Sequence, residues 1–265
     1  IQKISLHNKS IRIMESLIDK INAITFFQKQ IEHIHPLLKR CFPVVVATEA
    51  KLDIYDINSE NTYNFIKSIP NRFGFIKSIR AAFPIQVYDN RIACIITSDI
   101  FSEKNCYATI FHEFIHCQQF ELCENELKNT LKIYNDAKSK EDSMWEINFP
   151  FPYIAKEFIE YYETQQTPEM LTVLIQYRNR IKASLGLECY EYMNWEEWKE
   201  GFARYIETQI TKEIGLSAPY PKQNPTLARD SLYITGERFI RALISKSADN
   251  SNIGILYETM YNNEL

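Results

Sequence analysis

The sequence predicts an α+β fold, mainly helical, on three observations. Short runs with strand character fall between residues 44 and 97. From about residue 103 onward, apolar side chains recur at three- and four-residue intervals, the helical period. Pro150, Pro152, Pro168, Pro219, Pro221 and Pro225 then divide that helical tract into segments. Strands first and helices later imply a mixed N-terminal lobe with a small antiparallel or mixed sheet, followed by a helical C-terminal lobe.

The elements follow in order. Residues 11–40 carry Met14, Leu17, Ile18, Ile21, Ile24, Phe27, Ile31 and Leu38 at helical spacing, and Pro36 kinks or ends the pattern. Val44-Val45-Val46 and Leu52-Asp53-Ile54-Tyr55-Asp56-Ile57 read as strands, the second with period-two alternation. The string FIKSI occurs at Phe65–Ile69 and again at Phe75–Ile79, too few copies for a repeat architecture. Pro84–Tyr88 and Arg91–Ile96 flank Asp89-Asn90, which suggests a hairpin with a two-residue link. Helices are expected near 104–122, 124–138, 153–163, 167–184, 194–212, 229–246 and 252–262. No low-complexity linker separates the halves, so they are expected to share an interface.

Composition narrows the function. With 45% hydrophobic and 24% charged residues, the chain is an ordinary globular one rather than disordered or collagen-like. Thirty basic against 34 acidic residues leave a net charge of −4, without the basic footprint of a nucleic-acid binder. No uninterrupted apolar stretch approaches the roughly 20 residues a membrane helix needs. Six glycines set a low expectation for glycine-loop nucleotide folds. The cysteines, Cys41, Cys94, Cys106, Cys117, Cys123 and Cys189, include no CxxC pair and are read mostly as buried thiols. The lack of a disulfide framework leans towards the cytoplasm. The chain opens on Ile1, however, so any signal peptide is expected upstream of it, and localisation stays open.

One motif carries chemistry. His112-Glu113-Phe114-Ile115-His116 is an HExxH sequence. On a helix the two histidines, four apart, share a face, and both imidazoles reach one ion. Zinc accepts such nitrogens at about 2.0–2.1 Å. Glu113 is rotated by about 100° from His112, beside the metal's open position, where a carboxylate can take a proton from activated water. Thr109, His112, Glu113 and His116 form one polar stripe on a helix otherwise made apolar by Ile110, Phe111, Phe114, Ile115 and Cys117. A buried polar stripe must be satisfied, by a metal or by a hydrogen-bond network.

Such a metal needs a third ligand. His7, His33 and His35 all lie upstream and read as surface or packing residues; no histidine follows His116. A carboxylate remains, and Glu196, Glu197 and Glu200 compete on the segment from Trp195 to Glu207. Trp195, Trp198, Phe202, Tyr205 and Ile206 give that segment a packed face. Glu196 and Glu197 are read as a solvated acidic face. Beside Glu200, Gly201 permits close approach of two helices.

HEFIH followed by WKEGFARYIE resembles the gluzincin metallopeptidases, closest to the alanyl-aminopeptidase type with its W-x-x-E-G-x-x-x-Y-x-E helix. Trp198 stands one position nearer the glutamate than that pattern asks. The resemblance implies a zincin-like fold with an active-site cleft between its lobes. It implies one Zn2+ held by His112, His116 and Glu200, with Glu113 as general base. The segment Ser231–Leu243 resembles the family's Y-x-x-G stretch, which implies that Tyr233 hydrogen-bonds the tetrahedral intermediate; Tyr220 is the nearest competitor. On this reading residues 1–122 form an α/β lobe ending in the HExxH helix. Residues 123–265 form a helical lobe carrying the third ligand, with 123–193 as an inserted helical subdomain.

The departures set limits. The family's amine-anchoring G-x-M-E-N segment is missing, and the corresponding region reads VYDNRIACIIT. Arg204 stands where thermolysin-like enzymes place an acid that orients a ligand histidine, so that partner is expected to be Glu207 or Glu197. The strand around Ile92–Thr97 is expected to pair with an extended substrate. The expected activity is a zinc-dependent peptidase acting on peptide or protein, not nucleic acid, with the oligomeric state open. The rival readings are an inactive scaffold on a zincin fold, against which the intact Glu113 argues, and a zinc hydrolase of non-peptide amide or ester bonds.

Overall fold

The computed structural model describes residues 16–72, 74, 77–164, 171–216 and 227–263. His7, Met14, Phe75 and Tyr220 lie outside the described residues. The fold is mixed α and β. The strands β1 (Val44–Ala47), β2 (Lys51–Ile57), β3 (Tyr63–Pro70), β4 (Arg80–Ile85) and β5 (Arg91–Thr97) form one sheet in the order β3-β2-β1-β5-β4. β1 runs parallel to β5, with Val44 opposite Cys94, and antiparallel to β2, with Val44 opposite Tyr55.

The strands at the sheet centre are apolar on both faces because both faces are covered. Val44, Val46, Cys94 and Ile96 join the main core. Val45, Ala47, Leu52, Ile54, Ala93 and Ile95 form a second cluster on the opposite face. The first FIKSI copy lies within β3, an edge strand whose Phe65 and Ile66 remain exposed. The expected two-residue hairpin link is corrected: Ile85 pairs with Arg91, so residues 86–90 form the loop. Asp89 and Asn90 both adopt a left-handed φ of 53° there, a conformation that short polar side chains tolerate.

β5 lies between β1 and β4. It has no free edge, and the expected pairing of Ile92–Thr97 with a substrate is therefore overturned. The edge next to it is β4. The Ile79 carbonyl accepts from Thr97 N at 3.3 Å. With the register through Ile85, this turns the main-chain groups of Arg80, Ala82 and Pro84 outward. Pro84, with no N–H, fits only such an outward position.

The helices are α1 (Leu17–Ile31), α2 (Cys106–Gln119), α3 (Asn125–Thr130), α4 (Lys132–Ser139), α5 (Trp145–Asn148), α6 (Lys156–Thr164), α7 (Leu171–Leu185), α8 (Leu187–Glu213), α9 (Arg229–Lys246) and α10 (Ile253–Asn262). The helix expected over 124–138 is broken at Leu131, whose backbone is extended and whose side chain is buried in the main core. α8 begins earlier than expected, after Gly186 at φ 86°. All six cysteines are free thiols, and Cys41, Cys94, Cys106 and Cys117 are buried. No helix among the described residues is long and apolar enough to cross a membrane.

α8 is the central helix, and every position from Tyr190 to Trp198 is buried. The solvated acidic face expected at Glu196 and Glu197 is thus corrected: both are 0% exposed. They are buried because cations meet them. Arg178 of α7 ion-pairs with Glu197 and hydrogen-bonds Asn194. Tyr161 donates to Glu197 at 3.1 Å. Arg229 lies 2.8 Å from Glu196.

α8 and α9 touch backbone to backbone. A Cβ on Gly201 would fall 2.6 Å from Gly236 Cα, and one on Gly236 would fall 2.6 Å from Glu197 Cα. Only glycine allows this approach. Gly236→Ala is expected to lower unfolding stability by about 2–3 kcal/mol, because backbone on both sides must move. Urea denaturation measures it. An unchanged midpoint would mean that the two helices separate freely and that the contact does not constrain them.

Candidate metal centre

α2 packs against β4, β5 and α8. Its buried Ile110, Phe111, Phe114 and Ile115 give it the apolar faces that seat it there. The remaining stripe turns towards α8. Across that junction stand His112 and His116 from α2 and Glu200 from α8.

These three side chains converge, with ligating atoms all within 4.8 Å of one another. The two Nε2 atoms are 3.1 Å apart. Glu200 Oε2 lies 3.5 Å from His112 Nε2 and 3.4 Å from His116 Nε2. Ligands at about 2.0–2.1 Å around a tetrahedral ion are separated by roughly 3.3 Å, so the triangle has the dimensions of three tetrahedral corners.

The protons make the case stronger. Gln119 donates its amide nitrogen to the carbonyls of Trp198 at 3.3 Å and Lys199 at 3.1 Å. Its oxygen therefore faces His116 Nδ1, 2.9 Å away, and must accept from it. Glu207 Oε2 lies 3.2 Å from His112 Nδ1 and, as a carboxylate, also accepts. Thr109 donates to the other Glu207 oxygen at 3.1 Å. Each neutral imidazole thus carries its proton on the outer nitrogen. Two bare Nε2 lone pairs and a carboxylate oxygen face one point. Three acceptors without a donor need a cation between them.

In the protein alone, a proton is the available cation. Burial disfavours charge on His112, but its hydrogen bonds to Glu200 and Glu207 outweigh burial and hold the imidazole well above its ordinary value. Burial likewise opposes ionisation of Glu200, yet the neighbouring His116 and His112 hold its carboxyl well below the usual carboxylate range. A divalent ion would replace that proton, so the donor set, its protonation and its spacing all fit a tetrahedral metal with one position open.

Comparison with family models, curated proteins and solved structures finds no match to this chain. What the cluster can do follows from its own residues.

Glu113 is buried beside the cluster. Burial pushes its carboxyl up, against the pull of both imidazoles, and it accepts no hydrogen bond among the described residues. Tyr233, in the second turn of α9, lies under the Arg229 guanidinium, 5.2 Å from cation to ring centroid. Burial, then the Glu200 carboxylate, raises its phenol well above the ordinary value, so it remains a donor at neutral pH. Of the two partners expected to orient a ligand histidine, Glu207 takes the place; Glu197 is occupied by Arg178. Arg204 ion-pairs with Glu237 at 3.0 Å. His33 is exposed 3.4 Å from Glu213, and buried His35 accepts from Leu37 N, both away from the cluster.

Sequence reading missed Gln119 and Arg229. Gln119 lies three residues beyond His116 and continues the polar stripe of α2, a signal that was available. Arg229 lies 29 residues beyond Glu200 in sequence, with no periodicity linking them.

Glu207→Ala is expected to weaken Zn2+ binding by about 10- to 100-fold, because His112 loses the acceptor that fixes its tautomer. Competition with a chromophoric chelator reads this out, and unchanged affinity would remove Glu207 from that role.

Proposed function

We propose that the protein is a zinc-dependent metallopeptidase of the gluzincin type, with one Zn2+ per chain held by His112, His116 and Glu200. The observation that carries this reading is the convergence of the Nε2 atoms of His112 and His116 and Glu200 Oε2 on one point. The HExxH helix, the later glutamate and the Tyr233 segment, in that order along the chain, support it.

Zinc, when bound, would lower the pKa of a water in the open position and polarise a substrate carbonyl. Glu113 would take the water's proton on its carboxylate and hand it to the departing amine. Burial, which raises the Glu113 carboxyl, brings its basicity nearer neutral pH, where such a shuttle works in both directions. The Tyr233 hydroxyl would donate to the developing oxyanion.

The outward-facing groups of Arg80 and Ala82 offer donors and acceptors to an extended chain, and Pro84 offers only its carbonyl. Since β4 packs on α2, a peptide added at this edge would run past the HExxH helix. The sheet-bearing and helical portions would then act as the two walls of a zincin-like cleft.

Purified protein is expected to hold one zinc per chain and to cleave unfolded protein substrate, with cleavage abolished by 1,10-phenanthroline. Glu113→Gln should keep its zinc and lose at least about 10²-fold in turnover. Glu200→Ala should lose the metal. Full zinc occupancy in Glu200→Ala, measured by elemental analysis, would falsify the ligand set. Tyr233→Phe is expected to lower kcat by about 10²–10³-fold with little change in KM.

A further inference from the structure

A second layer of charge stands behind the carboxylate ligand. Glu196 is 0% exposed, and neither of its oxygens accepts a hydrogen bond. Its close partner is Arg229 at the start of α9, with Nη2 2.8 Å from Glu196 Oε2. The same Nη2 donates to Glu200 Oε1 at 3.4 Å. The other Glu200 oxygen, Oε2, faces the two imidazoles. The guanidinium also covers the Tyr233 ring. One cation thus touches a buried carboxyl, the outer oxygen of the third ligand and the ring of the oxyanion donor.

Neutralising Glu196 would need only a cation near it. The contacts with Glu200 and Tyr233 are additional, and they split the Glu200 carboxylate into one oxygen for the guanidinium and one for the site. Resting on the metal reading above, we infer that Arg229 is a positioning residue, anchored by Glu196, that holds Glu200 as a one-oxygen ligand and fixes the Tyr233 ring beside it. Without it, both Glu200 oxygens are free to turn inward, which would fill the coordination position meant for water. Tyr233 would also lose the cation over its ring.

The test uses the full chain with Zn2+ alone and with Co2+ as a spectroscopic probe. Arg229→Met leaves Glu196 buried and uncompensated, so the informative variant is Arg229→Met/Glu196→Gln, which removes both charges. Arg229→Lys is the second variant. It keeps a charge for Glu196, but its shorter side chain does not bring a nitrogen to the place where Nη2 meets both carboxylates. Both are expected to bind Zn2+ about tenfold more weakly than the unaltered chain. Their Co2+ forms should show weaker visible absorption, as a carboxylate binding through two oxygens raises the coordination number.

If Arg229 merely balances Glu196, the folded double variant and Arg229→Lys will match the unaltered chain in affinity and spectrum, and the inference is overturned. Should the double variant fail to fold, Arg229→Lys decides alone. An unaltered chain that takes up no zinc overturns the metal reading itself; zinc uptake by the unaltered chain with unshifted variants overturns only the role of Arg229.

Discussion

Three acceptors facing one another without a donor are what the rest of this structure is arranged around. Left alone, the lone pairs of His112, His116 and Glu200 repel, and a buried cluster of that kind costs free energy unless a cation enters. In the protein alone, the proton that His112 shares with Glu200 relieves it. Gln119 and Glu207 accept from the outer nitrogens, and this turns both Nε2 atoms towards Glu200. Gln119 is in turn fixed by carbonyls of α8, next to Glu200 in sequence. The helix that carries Glu200 therefore also orients His116. Such mutual constraint distinguishes a built site from two histidines that happen to neighbour an acid.

That arrangement depends on how closely α8 is held. It is buried over nine successive positions, which leaves its polar side chains no water to turn to. Its buried acids and amide meet particular partners: Glu191 accepts from Ile133 N at 3.0 Å, Asn194 and Glu197 meet Arg178, and Glu196 meets Arg229. These pairs contribute little net stability compared with apolar residues of the same size. They do fix rotation of the helix about its axis, since turning it by one position would leave several buried charges unpaired. The Gly201–Gly236 contact fixes its distance from α9 in the same way.

The coarse fold was legible because periodicity is local. Val44–Val46 and Arg91–Ile96 read as strands from their own side chains, and α2 read as a buried helix with one polar stripe. What failed was long-range. Glu196 and Glu197 look like a solvated pair in sequence, and only Arg178 and Arg229, from other helices, make them buried. β5 looked available to a substrate because nothing within Ile92–Thr97 shows that β1 and β4 would take both its edges. The hairpin link was misread because Asp89-Asn90 does carry the left-handed turn, while residues 86–88 join the loop and do not extend the strand. Within the candidate site, the motif residues were legible by spacing, and Glu207 was one of two candidates, with Glu197. Arg229 was not, as its relation to Glu200 exists only once α9 folds back on α8.

Why Glu200, among three glutamates so close in sequence, faces the imidazoles follows from helix phase. Glu196 and Glu200 are four apart and share a face of α8, whereas Glu197 is turned by about 100° from Glu196 towards α7. Arg178 holds Glu197 there. Of the two on the shared face, Glu196 lies one turn nearer the N-terminus of α8 and is 0% exposed, against the guanidinium of Arg229. Glu200, one turn further on, lies opposite His112 and His116 and beside the glycine contact. The i, i+4 spacing that brings two histidines to one point on α2 also lets one arginine of α9 bridge two carboxylates on α8. α2 and α8 bring the two imidazoles and Glu200 together, and Arg229 of α9 holds the outer oxygen of that carboxylate.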